Sequence, residues 1–149
     1  MKLGVLVSGD GTNLQAILDA ARGGVLRGVA SVAVVVSTRE HAKALERARA
    51  AGVPAEVLPS QDYATRDAYD EALAARLRAH DVGLVCLAGF MRIAGPRLLA
   101  AFPERIINIH PSLLPSFPGL HAQRQALAHG AKLSGCTVHF VDAGIDTGP

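Results

Sequence analysis

Asn108 and His110 lie two residues apart in the segment Asn108-Ile-His-Pro-Ser-Leu-Leu-Pro115, the most informative part of the sequence. The apolar run from Ile106 predicts a strand ending at His110, and alternation along a strand puts both polar side chains on one face. Pro111 keeps His110 out of helical geometry. Histidine can supply a proton near neutral pH, and an asparagine amide can donate to an oxyanion. The pair therefore indicates acyl transfer through a tetrahedral intermediate, unless both side chains only bridge backbone groups.

A second polar motif, Asp142-Ala-Gly-Ile-Asp-Thr-Gly-Pro149, follows a predicted strand over Cys136–Val141. Its glycines suit a tight loop, from which Asp146 could reach across to His110. A carboxylate within about 4–6 Å of an imidazole favours the charged form of the ring. Without that contact, Asp146 is interpreted as a turn residue or a helix cap. Asp142 and Asp146 lack the spacing of a calcium loop and have no paired histidine, so the sequence predicts no metal site.

The loop Ser8-Gly-Asp-Gly-Thr-Asn13 joins the first predicted strand to the first predicted helix. Glycines allow the backbone to approach a ligand, and the free amides and partial positive charge of a helix N-terminus favour a phosphate. Leu14 stands where a dinucleotide fingerprint has its third glycine, so a single phosphate is favoured over a dinucleotide. Asn13 is predicted to cap the helix. The alternative interpretation is a turn selected for geometry alone.

Other candidate residues give weaker signals. The segment Ala88-Gly-Phe-Met-Arg-Ile93 follows a predicted strand and could offer backbone and apolar contacts to a flat ring. Its methionine and isoleucine are equally well interpreted as core residues. His139 lies in a predicted strand and His129 on a predicted helix, which favours structural or solvent roles for both. His121 could line the site, and its spacing leaves that open.

Short apolar runs alternate with amphipathic stretches along the chain, the pattern of a parallel sheet covered by helices on both faces. The predicted strands are Leu3–Val7, Val29–Val36, Ala55–Leu58, Val82–Leu87, Ile106–His110 and Cys136–Val141. The predicted helices are one beginning at Asn13, His41–Ala51, Thr65–Ala79 with Tyr69, Leu73, Arg76 and Leu77 along one side, and Ala122–His129. We therefore predict one α/β domain of Rossmann-like architecture, with an open, mostly parallel sheet and its ligands beyond the carboxyl ends of the strands.

The 149 residues amount to about one domain, and with 50% hydrophobic and 19% charged residues the chain can bury a core. A net charge of +2, the lack of Trp and an aromatic content of 4% argue against nucleic acid as the main partner. Cys86 and Cys136 are too far apart for a disulfide scaffold or a cysteine-rich zinc site. The N-terminal apolar run ends at Asp10, and no stretch reaches the ~20 apolar residues of a membrane span. The expectation is a soluble protein of the reducing cytoplasm with no membrane partner.

Four segments together resemble the folate-dependent formyltransferases, and among them the phosphoribosylglycinamide formyltransferases, also called glycinamide ribonucleotide transformylases. They are Ser8–Asn13, Leu87–Ile93, Asn108–Pro115 with Pro118–His121, and Val138–Pro149, in order along the whole chain. The resemblance implies the formyltransferase fold and a reaction that spacing alone does not name. In that reaction the amine of glycinamide ribonucleotide takes the formyl group of the co-substrate 10-formyltetrahydrofolate during de novo purine synthesis.

The resemblance also implies residue roles. Asn108 would polarise the formyl oxygen and hold the oxyanion, His110 would donate the proton, and Asp146 would hold and tune His110. The ribonucleotide phosphate would bind at Gly11, Thr12 and Asn13. The folate would be contacted from separate segments by Arg66, by Met91, Arg92, Ile93 and Ala94, and by Asn108. The partners are then small molecules, with no metal, and both a monomer and a homodimer fit the sequence.

Members of the family continue for several dozen residues past the position of Pro149. Residues 1–149 are therefore interpreted as a single formyltransferase domain that lacks the family's carboxyl-terminal part. A weakened substrate site and an exposed sheet edge that favours association are expected. The alternatives are a formyltetrahydrofolate hydrolase, a methionyl-tRNA formyltransferase and a non-catalytic phosphate-binding module. The first two are expected to carry a further domain, and the first loop fits a phosphorylated small substrate best.

Overall fold

A computed structural model describes the chain from Met1 to Pro149 and contains six strands in one sheet. In chain order they are β1 (Lys2–Val7), β2 (Ser31–Ser37), β3 (Ala55–Val57), β4 (Leu84–Leu87), β5 (Ile106–His110) and β6 (Thr137–Phe140). They lie side by side in the order β3-β2-β1-β4-β5-β6; the first five are parallel, and β6 runs antiparallel to β5. The predicted open, mostly parallel sheet is confirmed.

Five helices flank the sheet: α1 (Thr12–Gly23), α2 (Lys43–Ala50), α3 (Arg66–Ala79), α4 (Pro96–Ala101) and α5 (Ala122–His129). All but α4 match predicted helices, with ends that differ by no more than about two residues, the usual uncertainty of helix ends. The 6 residues of α4 are too few to show a helical period, although Pro96 in the first turn is a common helix start. None of these helices is long and apolar enough to cross a membrane.

Helix α1 begins without a side-chain cap. Gly11 occupies its N-cap position with φ 73°, and no side chain accepts a hydrogen bond from the first-turn amides. The prediction that Asn13 caps the helix is wrong, because the helix starts at Thr12 and Asn13 already lies within the first turn. A Cβ at position 11 would come 2.6 Å from the Cβ of Ala44 in α2, so glycine is required there. The free amides of α1 remain available to a ligand.

Each face of the sheet has its own apolar cluster. α3 and α4 cover one face, where Leu73 and Leu77 are fully buried, and α1 and α2 cover the other, where Leu14 is fully buried. Arg76, predicted along the same side of α3 as Tyr69, Leu73 and Leu77, is not buried with them. Its side chain is 56% exposed and pairs with Glu56 at 3.2 Å, because the buried arc of the helix extends in the other direction, towards residues 70 and 74.

The carboxyl ends of β1, β4 and β5 meet at one edge of the sheet. The chain builds outwards from β1 through β2 to β3 and then returns to place β4 on the other side of β1. In open α/β sheets, ligands bind at such a reversal of strand order. The segments 8–11, 88–95 and 111–121 all leave from this edge, so the fold brings together the three loops that carry the sequence motifs.

Candidate active site

Asn108 and His110 stand at the end of β5, on alternate positions of one strand. Alternation puts both side chains on the face that Ile106 shares with the α3 cluster, as predicted. His110 is only 4% exposed. Asn108 pairs in register with Leu87, the last residue of β4, so the loop that follows β4 begins beside it.

The two ring nitrogens of His110 face two oxygen acceptors. Nδ1 lies 3.2 Å from Oδ2 of Asp146, and Nε2 lies 2.9 Å from the carbonyl oxygen of Phe117. Because a carbonyl and an ionised carboxylate only accept hydrogen bonds, these surroundings suit a ring that carries a proton on each nitrogen. The contact between Asp146 and His110 that the sequence analysis anticipated is present.

Asp146 is positioned by the turn that follows β6. Its φ of 55° lies in the left-handed region, and its Oδ2 also accepts a hydrogen bond from the Gly119 N–H at 2.8 Å. Asp142 shapes this turn by accepting from the Gly144 N–H at 3.0 Å and from the Thr147 hydroxyl at 2.7 Å. The hydrogen bond from Thr147 is the main reason that the pKa of Asp142 lies below its usual value. Asp142 is therefore the residue that stabilises the turn, and the carboxylate of Asp146 faces His110 instead.

His139 lies directly opposite Asn108 in the antiparallel pairing of β5 and β6, and it is 4% exposed. Its Nε2 is 3.3 Å from Nδ2 of Asn108 and 3.6 Å from Oδ1 of Asp146. A structural or solvent role was predicted for His139, since strand register is not visible in a sequence and its position opposite Asn108 could not be foreseen. The structure instead brings it into the site. We call Asn108, His110, His139 and Asp146 the polar cluster.

A cleft of about 400 Å³ runs along the sheet beside α1 and connects the first loop with β5. Of its 16 lining residues 14 are hydrophobic, and the two polar ones are Asn13 and Asn108. Arg47 of α2 holds the first loop in place, because its Nε donates a hydrogen bond to the carbonyl oxygen of Asp10 at 2.9 Å. The cleft lies mainly on the α1 face of the sheet, whereas the side chains of Asn108 and His110 point from β5 towards the α3 face.

Ser8 joins three loops at this edge of the sheet. Its buried Oγ accepts hydrogen bonds from the Met91 N–H at 3.0 Å and from the Thr38 hydroxyl at 2.9 Å. This role of Ser8 was not predicted, because its contact with Met91 joins positions 83 residues apart. The only signal in the sequence is a small hydroxyl residue directly after an apolar strand.

The structure brings Arg66 to the loop after β4. Its Nη2 donates to the carbonyl oxygens of Ile93 at 3.1 Å and Ala94 at 3.0 Å. The side chains of Met91 and Ile93 are 68% and 55% exposed, so their interpretation as core residues is wrong. Arg66 and the loop after β4, both implied by the family resemblance to contact the folate, thus form one surface. The side chains of Met91 and Ile93 on this surface are open to solvent.

Arg92 is anchored on the α3 side of this loop. Its guanidinium carbon lies 5.1 Å from the ring centroid of Tyr69, and Nη1 donates to the Ser60 hydroxyl at 2.7 Å. Burial raises the pKa of Tyr69 to about 12, with the charge of Arg92 acting in the opposite direction. Arg92 therefore packs on the protein as well as bordering the exposed surface.

The remaining histidines and the cysteines lie outside the polar cluster. His121 is the exposed N-cap residue of α5, and His129 packs edge-on against Phe117 with ring centroids 5.6 Å apart. Cys86 is buried, which raises its pKa to about 11, whereas Cys136 is exposed. No group of three or more His, Cys, Asp or Glu side chains is arranged to hold a metal ion.

Comparisons with known proteins identify the relatives of this chain. Residues 1–149 match the family model described as formyl transferase. The chain is 49% identical over 147 residues to the trifunctional purine biosynthetic protein adenosine-3 of Drosophila melanogaster, covering 99% of this chain and 11% of that protein. It is 44% identical over 148 residues to the phosphoribosylglycinamide formyltransferase of Bacillus subtilis, covering 99% of this chain and 75% of that protein.

A solved structure extends the likeness to the fold. The glycinamide ribonucleotide transformylase 1 of Symbiobacterium toebii is 60% identical with a TM-score of 0.97, covering 100% of this chain and 69% of that one. The chain thus spans a small part of the fly protein and most, but not all, of these bacterial ones. Because the family model extends over every residue and the fold is shared throughout, the chain belongs to the formyl transferase family.

Proposed function

We propose that this chain transfers the formyl group of 10-formyltetrahydrofolate to the amine of 5'-phosphoribosylglycinamide in de novo purine biosynthesis. The observation that carries the proposal is the polar cluster, in which His110 lies 3.2 Å from Asp146 and shares a strand face with Asn108. The name of the Bacillus subtilis relative supports this choice of reaction. Two unpaired cysteines suit the cytoplasm as the location of the enzyme.

The ribonucleotide phosphate is expected at the first turn of α1. The residues that would hold it are Gly11, Thr12 and Asn13. Support comes from the uncapped amides of this turn, since they and the partial positive charge of the helix N-terminus favour an anion. Because the parallel strands β1 and β5 both end at this edge of the sheet, the phosphate site and Asn108 lie at the same edge.

The formyl folate is expected along the loop that follows β4. The residues proposed to contact it are Arg66, Met91, Arg92, Ile93, Ala94 and Asn108. The exposed side chains of Met91 and Ile93 offer apolar surface to a flat ring system. Arg66 and Ser8 support the loop from beneath by bonding its backbone. The loop begins beside Asn108, which would place the formyl group near the polar cluster.

The chemistry requires one bond to form, one to break and one proton to move. Bound folate supplies a formyl carbon, to which the glycinamide nitrogen bonds while the bond from that carbon to the folate nitrogen breaks. The attacking amine loses a proton, and the leaving nitrogen gains one. Asn108 would donate a hydrogen bond to the formyl oxygen as negative charge develops on it. His110 would deliver the proton, and Asp146 would stabilise the charged ring before delivery.

The loop between β5 and α5 limits access to the proton on His110. In this structure the Nε2 hydrogen of His110 is directed at the carbonyl oxygen of Phe117. Delivery of that proton to a substrate therefore requires Phe117 to give up the contact. The Gly119 N–H of the same loop donates a hydrogen bond to Oδ2 of Asp146. We expect substrate binding to shift residues 117–119 and to replace the Phe117 carbonyl as the acceptor.

The proposal is tested by a formyl-transfer assay with 10-formyltetrahydrofolate and 5'-phosphoribosylglycinamide, following both products. Formylated ribonucleotide and tetrahydrofolate are expected in equal amounts, and His110→Ala is expected to lose most of the rate. The matched control is His80→Ala. His80 is the C-cap residue of α3, and its Nε2 lies 2.7 Å from Oε1 of Glu56. It precedes the amino end of β4, whereas the site lies at the carboxyl ends of the strands. The control should keep the wild-type rate.

Other outcomes would contradict the proposal in recognisable ways. Release of formate without consumption of the ribonucleotide would identify a hydrolase. Transfer to methionyl-tRNA alone would identify a tRNA formyltransferase. Binding of the ribonucleotide with no turnover of either substrate would identify a phosphate-binding module.

A further inference from the structure

The half-buried Asn108 and the buried His139 lie side by side on neighbouring strands. They are directly opposed in the β5–β6 register, and the Nδ2 to Nε2 distance is 3.3 Å. Nδ1 of the His139 ring lies 2.9 Å from the carbonyl oxygen of Phe140. Both ring nitrogens of a histidine that is 4% exposed therefore have a polar neighbour.

These two neighbours determine where the proton of the His139 ring resides. A carbonyl oxygen only accepts, so Nδ1 must carry the hydrogen that bonds Phe140. An amide nitrogen only donates, so Nε2 must present its lone pair to Nδ2 of Asn108. A neutral ring with its single proton on Nδ1 satisfies both contacts.

With the His139 proton on Nδ1 alone, only one orientation of the Asn108 amide gives a hydrogen bond between the two side chains. The oxygen and nitrogen of an asparagine amide are nearly equal in shape, so packing alone does not distinguish its two orientations. In the flipped orientation the amide oxygen would face the lone pair of Nε2, and two acceptors would meet in a buried site. The lone pair of His139 thus selects the orientation in which the NH₂ group faces the site, with one hydrogen on His139 and the second free.

We propose that His139 is a positioning residue that holds the Asn108 amide as a hydrogen-bond donor for the formyl oxygen. The inference rests on the proposed function for its consequence, although not for the contact itself. His139 touches no reacting atom in this scheme and acts through Asn108. The chain thereby stabilises an oxyanion donor that would otherwise be free to present its oxygen.

Two arrangements compete with this one, and both require a hydrogen on Nε2 of His139. In one, the oxygen of a flipped Asn108 amide accepts that hydrogen. In the other, Asp146 accepts it. Its Oδ1 lies 3.6 Å from Nε2 of His139, longer than a hydrogen bond, while its Oδ2 is engaged by His110 and Gly119. The charged groups that face His139 are Asp146 and, more distantly, Asp142. A His139 ring protonated at Nε2 would turn its hydrogen to Asp146 and release Asn108, so the protonation of this ring decides the inference.

The first experiment reads that protonation directly. Long-range ¹H–¹⁵N NMR spectra of the ¹⁵N-labelled chain distinguish the two neutral tautomers and the charged ring, and the spectrum of His139→Gln assigns the signals. A neutral ring protonated on Nδ1 is expected at pH 7.5. A ring protonated on Nε2, alone or on both nitrogens, would overturn the inference. This result does not depend on whether the chain transfers a formyl group.

The second experiment measures the effect on Asn108. In His139→Gln, the side-chain oxygen can replace Nε2 as the acceptor, whereas His139→Leu keeps the volume and removes the acceptor. We expect His139→Leu to lower kcat by up to ~10²–10³-fold, the range for losing an oxyanion donor, with KM little changed. His139→Gln should recover most of the rate. In an Asn108→Ala background, His139→Leu should cause no further loss.

The outcomes separate this inference from the proposed function. Equal losses from His139→Leu with and without Asn108 would show that His139 acts by another route, and a Gln variant as slow as the Leu variant would show the same. If the wild-type chain transfers no formyl group, the proposed function fails, while the NMR spectrum still decides how His139 and Asn108 are paired.

Discussion

The first loop and the polar cluster lie at the same edge of the sheet but are built in opposite ways. The first loop is one continuous segment, 8–13, and its binding groups are backbone amides presented by a glycine at φ 73°. The polar cluster draws on β5, β6 and the turn after β6, and it depends on side chains that meet at 3.2–3.6 Å. We therefore expect changes in the loop to weaken substrate binding and changes in the cluster to slow the reaction.

The largest effect is expected from His110→Ala. Loss of a general acid typically lowers the rate by ~10²–10⁴-fold, and kcat should fall in that range while KM for the ribonucleotide changes little. Steady-state kinetics with each substrate varied in turn provides the measurement. A raised KM with an unchanged kcat would mean that His110 contributes only to binding, and the division between cluster and loop would then be wrong.

Gly11→Ala tests the loop side of the comparison. An alanine at φ 73° is strained, and its Cβ would lie 2.6 Å from the Cβ of Ala44. We expect the free energy of unfolding to fall by about 1–3 kcal/mol, together with a raised KM for the ribonucleotide and a smaller change in kcat. Urea denaturation and steady-state kinetics measure these effects.

Gly9→Ala is the matched control for stability. A Cβ at Gly9 meets nothing within 4 Å and its φ is not in the left-handed region, so its free energy of unfolding should stay near that of the wild type. Equal destabilisation by both substitutions would show that the loop responds to any added side chain, and the specific requirement at Gly11 would be refuted.

The sequence was sufficient where a structural feature depends on neighbours along the chain. The apolar run of β5 ends at Pro111 and the helix α5 ends at a glycine, so both elements were predicted with their observed bounds. Alternation within one strand was likewise enough to place Asn108 and His110 on one face. The short helix α4 was missed because 6 residues cannot show a period, and its stability comes from packing on α3.

The contact between Asp146 and His110 was anticipated, but other features that depend on contacts between distant segments were missed. The antiparallel register that opposes Asn108 to His139 depends on where β6 enters the sheet, and nothing local specifies that position. The contact of Ser8 with the Met91 amide likewise joins segments that are distant in the sequence, and nothing local specifies it. The first loop was identified because it is continuous, although its helix cap was assigned to Asn13 rather than Gly11.

Ser8→Ala examines a link between the two regions. It removes the acceptor for the Met91 N–H and for the Thr38 hydroxyl, and each of these two hydrogen bonds is worth about 1 kcal/mol. Because the bond supports the loop after β4, KM for the formyl folate should rise while KM for the ribonucleotide changes less. Thr38→Val, which leaves the Met91 contact intact, is the matched control. If both variants raise the two KM values equally, Ser8 acts on the whole edge.

Asp70 shows that burial of a polar group does not by itself indicate a site. It is 2% exposed, comparable with His110, but it lies on α3 beside the start of α4. Burial is the main cause that raises its pKa above the usual 3.8, while the amides of Leu98 and Gly95 and the charge of Arg66 act in the opposite direction. The folded chain therefore holds this proton to a higher pH than the unfolded chain does.

The smallest expected effect follows from that difference. Between pH 3.8 and the raised pKa of Asp70, the unfolded state binds fewer protons than the folded state, so Asp70 makes the free energy of unfolding fall as pH rises. Asp142, whose pKa is lowered, makes the free energy of unfolding change with pH in the opposite direction. The measurement is therefore the difference in the free energy of unfolding between the wild type and Asp70→Asn across this pH range. Relative to the wild type, Asp70→Asn should become more stable as pH rises, with kcat at neutral pH unchanged.

Asp19→Asn, at an exposed position of α1, controls for the loss of one charge. A difference that does not vary with pH would show that Asp70 is ionised equally in both states, and a lower kcat would extend the site beyond the polar cluster and the first loop.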